Sequence, residues 1–198
     1  MTIHIAIIGA GSQSFGPAMI RDALLSGPIA ERGLKLVLMD NVAAHLPENE
    51  AYARFVKAER RHAASIIATT SLEEAVDGAD FVITAIEADR FLRWTQDFHI
   101  PRKHGFRQVF GENGGPGGLF HAFRNMGPML DIARAMERSC PGALMLNFAN
   151  PEHKLCEAVS RLTSIQSVGL CHGVFMGLRQ IAHLLGKSEQ DLDTAACG

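Results

Sequence analysis

The segment Ile3-His4-Ile5-Ala6-Ile7-Ile8-Gly9-Ala10-Gly11-Ser12 decides the fold class of this chain. Its first six residues are almost all apolar, which is typical of a strand buried on both faces of a parallel sheet. A segment with helical periodicity follows the glycines, and one face of it carries Phe15, Met19, Ala23 and Leu24. A buried strand, a glycine turn and a helix together predict the first unit of a doubly wound α/β sheet.

The same alternation of apolar runs and helical patterns continues along the chain. Further strands are predicted at residues 34–39, 66–68, 81–85, 143–147 and 167–170. Helices are predicted at residues 51–64, after a capping box formed by Ser71 and Glu74, after Asn150-Pro151, and at residues 174–185. Successive β–α–β units predict a Rossmann-like, mainly parallel sheet with helices on both faces, formed by residues 1–198 as one domain.

The stretch 91–118 lacks a clear period, and we predict that it is irregular. It ends in Gly111-Glu112-Asn113-Gly114-Gly115-Pro116-Gly117-Gly118, which favours either a functional glycine-rich loop or a flexible surface loop. A helix is predicted from Leu119, with a break or restart at Gly127-Pro128.

The bulk composition is that of an ordinary globular protein. Of the 198 residues, 47 % are hydrophobic and 20 % are charged, and the net charge is −2, so neither nucleic acid nor an anionic membrane is expected as a partner. No signal-peptide pattern and no apolar run of about 20 residues is present. The cysteines form no CxxC pair and indicate a reducing cytoplasm rather than a disulfide framework: Cys140, Cys156, Cys171 and Cys197.

The glycine turn after the first strand predicts a nucleotide site. Gly9 permits the tight turn, and Gly11 lets the backbone approach a pyrophosphate at the start of the next helix. The third glycine of the usual GxGxxG pattern is missing because Ser14 stands there, and a glycine appears only at Gly16. The context of the motif, directly after a buried strand at the start of the chain, makes it stronger than the pattern alone.

Asp40 ends the second strand, where a carboxylate can bind both ribose hydroxyls of an adenosine and repel a 2′-phosphate, which favours NAD over NADP. A plain glycine turn with a solvated Asp40 is the alternative. The predicted cofactor residues lie in the turn and at two strand ends: Gly9, Gly11, Ser12, Gln13, Ser14, Phe15, Asp40 and Thr84.

Three further features fall at the same edge, because the carboxyl ends of parallel strands meet there. The first is the run of glycines before residue 119. The second is Asn147-Phe148-Ala149-Asn150-Pro151, in which Asn150 is either a helix cap or a ligand-binding residue. The third is Cys171-His172-Gly173; a thiolate beside an imidazole suits a divalent metal, although a structural role is the alternative. Neighbouring side chains on an extended chain point opposite ways, so one of the pair would bind metal and the other would face the substrate.

Together these motifs resemble glycoside hydrolase family 4 over essentially the whole chain. The most specific matches are Gly115-Pro116-Gly117-Gly118-Leu119-Phe120 and Cys171-His172-Gly173-Val174. The resemblance implies an N-terminal Rossmann domain that uses NAD and a divalent metal, usually Mn²⁺, to cleave O-glycosyl bonds by oxidation at sugar C3, elimination, and return of the hydride. The metal would polarise the C3 ketone as a Lewis acid.

The resemblance also implies roles for individual residues. Cys171 would be a metal ligand, Asn150 and Asn147 would belong to the substrate site, and His172 would deliver a proton to the leaving-group side or recognise it. The Cys-His-Gly pattern is similar to members that act on α-linked hexuronides, with α-galactosidase and α-glucosidase as alternatives. Arg124 is a candidate partner for a sugar carboxylate.

One departure from the family pattern stands out. The family needs a second metal-binding histidine and a tyrosine base after the cysteine motif, whereas this chain ends at Gly198 and its only tyrosine is Tyr52. We therefore expect the C-terminal catalytic and metal-binding domain of the family to be missing, and the 198 residues alone to be inactive. We expect the chain to be homo-oligomeric.

Two other functions fit the same sequence. A lactate- or malate-type dehydrogenase shares the fold and an Asn-Pro element after the fifth strand, but lacks the glycine-rich and Cys-His-Gly patterns. A non-catalytic NAD-binding module is the second alternative. Net reduction of NAD by a hydroxy acid would distinguish the first, and binding without metal-dependent activity would distinguish the second.

Overall fold

The computed structural model describes residues 2–195, and its sheet confirms the doubly wound prediction. Six parallel strands form one sheet in the order β3-β2-β1-β4-β5-β6. The strands are β1 (Ile3–Ile8), β2 (Leu34–Met39), β3 (Ser65–Thr69), β4 (Phe81–Thr84), β5 (Leu144–Asn147) and β6 (Gln166–Gly169). The strand order reverses between β1 and β4, so a ligand crevice is expected beyond the ends of these two strands.

The α-helices connect the strands, and two short 3₁₀ turns lie at Ala43–His45 and Glu189–Asp191. The helices are α1 (Gly16–Leu25), α2 (Gly27–Arg32), α3 (Leu46–Glu59), α4 (Leu72–Val76), α5 (Arg90–Lys103), α6 (Gly115–Ser139), α7 (Glu152–Leu162) and α8 (Gly173–Leu185). Ser71 caps α4 as predicted, because its Oγ accepts from the N–H of Glu74 at 3.2 Å.

Alternate side chains of β1 enter two separate apolar cores. Ile5 and Ile7 pack with α1 and α3 on one face, whereas Ala6 and Ile8 pack with α4, α6 and α7 on the other. Successive side chains of a strand point to opposite faces, so a strand that serves both cores must be apolar throughout. Burial of both faces therefore explains the continuous apolar run in the sequence of the first strand.

The prediction that residues 91–118 are irregular was wrong at both ends of the stretch, and only residues 104–114 lie outside helices. Arg90–Lys103 is a helix, and α6 begins at Gly115 and continues through Pro128 without the predicted break. A Cβ on Gly117 would lie 2.1 Å from the carbonyl oxygen of Asp97, so this glycine permits α6 to pack directly against α5. Tertiary packing on α4, α5 and α7 therefore overrides the helix-breaking composition of α6.

Smaller differences concern helix ends. Helix α2 was not predicted, and α3 begins five residues before the predicted start, with Pro47 in its first turn. Asn150 does not cap α7: the cap position is Pro151, and no side chain caps that helix. The backbone oxygen of Asn150 instead accepts from Nδ2 of Asn125 at 3.2 Å.

One face of β4–β6 and one side of α8 remain apolar and uncovered by other parts of residues 2–195. A cavity of about 720 Å³ lies against this sheet face, lined in part by Phe81, Ile83, Leu144 and Leu146. Ala182 is the buried residue of α8, while Phe175 and Leu184 are exposed. None of the helices within residues 2–195 is long and apolar enough to cross a membrane.

Candidate functional site

The predicted turn follows β1 and is closed by its own backbone. The N–H of Ser12 donates to the carbonyl of Gly9 at 3.0 Å, and Ser12 Oγ accepts from the N–H of Phe15 at 3.1 Å. Gly9 has a φ of 86°, and a Cβ there would lie 2.5 Å from the carbonyl oxygen of Ala85. Only glycine fits both requirements, because L-residues rarely adopt this φ and the β4 segment leaves no space. Gln13 and Ser14 remain exposed at the tip of the turn.

Asp40 fixes the second glycine of the turn. This carboxylate is 8 % exposed, and its Oδ2 accepts from the N–H of Gly11 at 3.1 Å while Oδ1 accepts from the N–H of Val42 at 3.0 Å. Nδ1 of His45 lies 3.4 Å from Oδ1. A Cβ on Gly11 would lie 2.3 Å from Cβ of His45, so the turn tolerates no side chain here. Asp40 therefore organises the turn, and its predicted role toward ribose stays a prediction.

A cavity of about 290 Å³ opens beside this pair. It lies between the turn, the 3₁₀ segment and the first turns of α1 and α3, and is lined by Gly11, Gln13, Pro17, Ala44, His45, Glu48 and Asn49. The N-terminus of α1 has no side-chain cap. An uncapped helix start beside a polar cavity suits the phosphate and ribose parts of a dinucleotide.

The side chains of Thr84 and Asn147 are hydrogen-bonded to each other at the ends of β4 and β5. Thr84 Oγ1 donates to Asn147 Oδ1 at 3.0 Å, and the two residues are 0 % and 1 % exposed. The Asn147 amide also donates to the carbonyl of Ala149 at 3.1 Å, and its Oδ1 accepts the N–H of Ala149 at 2.9 Å. Both side chains thus shape the strand ends, and their predicted roles toward cofactor and substrate stay predictions.

The Cys171-His172 pair follows β6 and is exposed. Sγ of Cys171 accepts from the N–H of Gly173 at 3.4 Å, and His172 stands at the cap position of α8 without capping it. The centroid of the His172 ring lies 6.4 Å from that of the Phe15 ring, and the Phe148 ring lies 5.9 Å from the Phe15 ring. The structure therefore brings the predicted substrate segment and the cofactor turn to one edge.

The other described thiols differ from Cys171 in their surroundings. Burial raises the pKa of the Cys140 and Cys156 thiols above the usual range. These thiols are poor metal ligands, because a ligand thiol must lose its proton. Within residues 2–195, no three His, Cys, Asp or Glu side chains are arranged to hold a metal ion. Cys197 lies outside the described residues.

A buried polar cluster between α5 and α6 was not predicted. His121 is 1 % exposed, its Nδ1 lies 3.2 Å from Asp97 Oδ2, and its Nε2 lies 3.4 Å from Glu87 Oε1. Arg124 also forms an ion pair with Asp97, so the candidate partner for a sugar carboxylate is engaged within the protein. Through Glu87, the cluster connects the loop after β4 to α5 and α6.

A second residue without a clear sequence signal is Asn49 on α3. It is buried, and its Nδ2 donates to the carbonyl of Ala10 at 2.6 Å. The displaced glycine at position 16 is the only hint, because a Cβ on Gly16 would lie 2.6 Å from that amide nitrogen.

The topological switch point, the glycine turn and Asp40 define a Rossmann domain of the dinucleotide-binding class. The sequence profile of the family described as Family 4 glycosyl hydrolase matches residues 4–187. The chain therefore belongs to the family 4 glycosyl hydrolases.

Individual relatives are consistent with this membership. The chain is 36 % identical to an alpha-glucosidase of Erwinia rhapontici over 200 residues, covering 100 % of this chain and 44 % of the relative. It is 33 % identical to an alpha-galacturonidase of Thermoanaerobacterium saccharolyticum, covering 96 % and 40 %. The structure of a Thermotoga maritima 6-phospho-beta glucosidase with manganese, NAD+ and glucose-6-phosphate superposes with a TM-score of 0.74 at 25 % identity, covering 96 % and 44 %. The chain thus spans less than half the length of these relatives.

Proposed function

We propose that residues 1–198 are the NAD-binding domain of an NAD- and divalent-metal-dependent glycosidase that acts on α-glycosides. The observation that carries the NAD part is the bond from Gly11 N–H to the buried Asp40 carboxylate, beside a cavity of about 290 Å³. The residues present fit this cofactor: the turn exposes backbone, and the helix that follows it has no side-chain cap.

Bound NAD supplies a hydride acceptor for a sugar carbon. The turn would hold its pyrophosphate through the backbone around Gln13 and Ser14. The Asp40 carboxylate has about four acceptor sites, and the N–H groups of Gly11 and Val42 use two of them, so it can still accept from ribose hydroxyls. Its negative charge would repel a 2′-phosphate, which supports NAD over NADP.

The sugar would lie between Asn150, Cys171 and His172. Support comes from the exposure of the Cys-His pair and from the contact of His172 with Phe15 at the cofactor turn. An α-linked hexose or hexuronide is the proposed class, because the relatives include an alpha-glucosidase and an alpha-galacturonidase. His172 would then hold or deliver a proton on the leaving-group side.

The metal fits only in part. Cys171 is an exposed thiol and can be one ligand, but residues 2–195 provide no cluster of three ligating side chains. We propose that the remaining ligands and the catalytic base lie outside these 198 residues, in the C-terminal portion that the relatives have. The 198 residues alone are expected not to hydrolyse glycosides.

Two experiments test the proposal. Calorimetry should detect NAD binding by the 198-residue chain; absence of binding would refute the cofactor assignment. A chimera should replace the matching N-terminal part of the Erwinia rhapontici alpha-glucosidase with this chain, and be screened with aryl α-glycosides and α-hexuronides in NAD and Mn²⁺. Hydrolysis without net NADH is expected. NAD binding without hydrolysis by the chimera would favour the non-catalytic module, and net NADH from a hydroxy acid would favour a dehydrogenase.

Location and assembly complete the proposal. A cytoplasmic location is supported by the free thiols of Cys140, Cys156 and Cys171, which suit a reducing compartment. Self-association is supported by the uncovered apolar side of α8, where Phe175 is 64 % and Leu184 is 82 % exposed. Sedimentation equilibrium should give a mass above that of one chain, and a monomer at all concentrations would contradict this.

A further inference from the structure

The carbonyl groups of the glycine turn face helix α3, where one side chain holds them. Asn49 is 7 % exposed, and its Nδ2 donates to the carbonyl of Ala10 at 2.6 Å and lies 3.5 Å from the carbonyl oxygen of Ser12. The Ser12 carbonyl also accepts from the N–H of Gly16 at 2.9 Å. The buried amide of Asn49 therefore contacts two parts of the turn from the side of α3.

The direction of the Ser12 carbonyl determines the direction of the N–H group that follows it in the turn. A peptide bond is planar and trans, so the N–H of Gln13 points away from the Ser12 carbonyl. The Ser12 carbonyl accepts from the N–H of Gly16 and lies 3.5 Å from Nδ2 of Asn49, so the Gln13 N–H is directed away from both groups. Gln13 and Ser14 are exposed, and within residues 2–195 no protein group accepts from their backbone N–H groups. Successive free N–H groups in a turn form an anion-binding concavity.

Gly16 contributes to the same contact between the turn and Asn49. A Cβ at this position would lie 2.6 Å from both the Ala10 carbonyl oxygen and Nδ2 of Asn49. The glycine that is absent from the usual third position thus appears where the Asn49 amide needs room to reach the turn. Glycine at 16 and asparagine at 49 are therefore matched to each other.

We propose that Asn49 is a positioning residue that presents the free N–H groups of the turn to the NAD pyrophosphate. Asn49 also lines the cavity of about 290 Å³ beside the turn, and its proposed action is through the carbonyls of Ala10 and Ser12. The inference rests on the NAD binding proposed above and adds a specific determinant of the pyrophosphate half of that site.

The test compares Asn49→Leu, which keeps the approximate size and removes both donors, with Asn49→Asp, which places acceptors against the two carbonyls. Calorimetry with the 198-residue chain should show NAD binding weakened about tenfold in Asn49→Leu and more in Asn49→Asp. Adenosine lacks phosphates, so its affinity, measured by competition with NAD, should change less than about twofold on the same reasoning. An equal loss for NAD and adenosine, or no loss for NAD, would overturn the proposal.

A matched control separates positioning from general destabilisation. Val56→Ala removes a buried side chain from the same helix, so it should lower the melting temperature while NAD affinity stays unchanged. Amide hydrogen exchange without ligand gives a readout that does not depend on NAD. Exchange of residues 11–16 should become faster in Asn49→Leu but not in Val56→Ala, with β1 and β2 unaffected in both. Unchanged exchange in Asn49→Leu would reject the inference even if the wild-type chain bound no NAD.

Discussion

The ring of His172 lies 6.4 Å from the ring of Phe15, at an interplanar angle of 56°. Phe15 closes the glycine turn after β1, and His172 precedes α8, so this contact joins the proposed cofactor and sugar segments. Phe148, after β5, also contacts Phe15, with 5.9 Å between the ring centroids. Aromatic contacts therefore connect the segments that follow β1, β5 and β6.

Gly11 is a position where a single methyl group should damage the cofactor site. In Gly11→Ala the new Cβ would lie 2.3 Å from Cβ of His45 and 2.7 Å from Oδ2 of Asp40, so the turn must move. We expect calorimetry to show NAD binding weakened at least about tenfold, the effect of losing one or two hydrogen bonds. Gly127→Ala is the control: its Cβ has open space within α6, and NAD affinity should be unchanged. Wild-type affinity in Gly11→Ala would contradict the site.

Glu48 should contribute to selectivity between NAD and NADP. It lines the cavity together with Gly11 and His45, the two residues that contact Asp40, and adds a carboxylate to that cavity. Glu48→Gln should therefore raise NADP affinity several-fold, by about the amount expected from one partly screened charge, with NAD affinity unchanged. The increase should shrink in high salt. Glu50→Gln changes a carboxylate paired with Arg54 outside the cavity lining and serves as the control. A similar gain in both variants would argue against a local effect of Glu48.

The strands were predictable because burial on both faces leaves a continuous apolar signal, as in Ile3–Ile8. The start of α6 was not, because Gly115 and Gly117 have the composition of a loop. The reason for glycine at 117 is the Asp97 carbonyl 2.1 Å from its missing Cβ, a contact that exists only after α5 has docked. Local propensity cannot show such a long-range requirement.

The residues of the candidate site likewise divide into those that were predicted from the sequence and those that were not. Gly11 and Asp40 were identified because a glycine turn and a strand-end carboxylate are local patterns with a known mechanism. Asn49 has no local pattern, since it lies within a charged helix and its role depends on how α3 packs against the turn. His121 and Asp97 were missed because the helix that carries Asp97 was itself predicted to be irregular.

Asp97 should be important for stability rather than for cofactor affinity. Asp97→Asn removes the carboxylate that forms the ion pair with Arg124 and lies 3.2 Å from Nδ1 of His121 in a mostly buried cluster. Loss of one member of a buried ion pair typically costs about 3 kcal/mol, so the free energy of unfolding in urea should fall by that order. Asp89→Asn changes an exposed carboxylate near Arg93 and should have an effect within about 0.5 kcal/mol. Equal effects of the two substitutions would show that the cluster does not stabilise the packing of α5 on α6.

His4 should make stability depend on pH. Burial lowers the pKa of His4 below its ordinary value of 6.5, and the charge of Lys35 adds to the shift. The folded chain therefore binds this proton less readily than the unfolded chain, so the contribution of neutral His4 is complete above about pH 6.5 and declines as the pH falls below it. Gln has no such proton, and the free energy of unfolding of His4→Gln should fall less between pH 7.5 and about pH 5. Urea titrations at several pH values measure this difference. His104→Gln, at an exposed position, should retain the wild-type pH dependence. Parallel curves for the wild type and His4→Gln would show that His4 does not cause the effect.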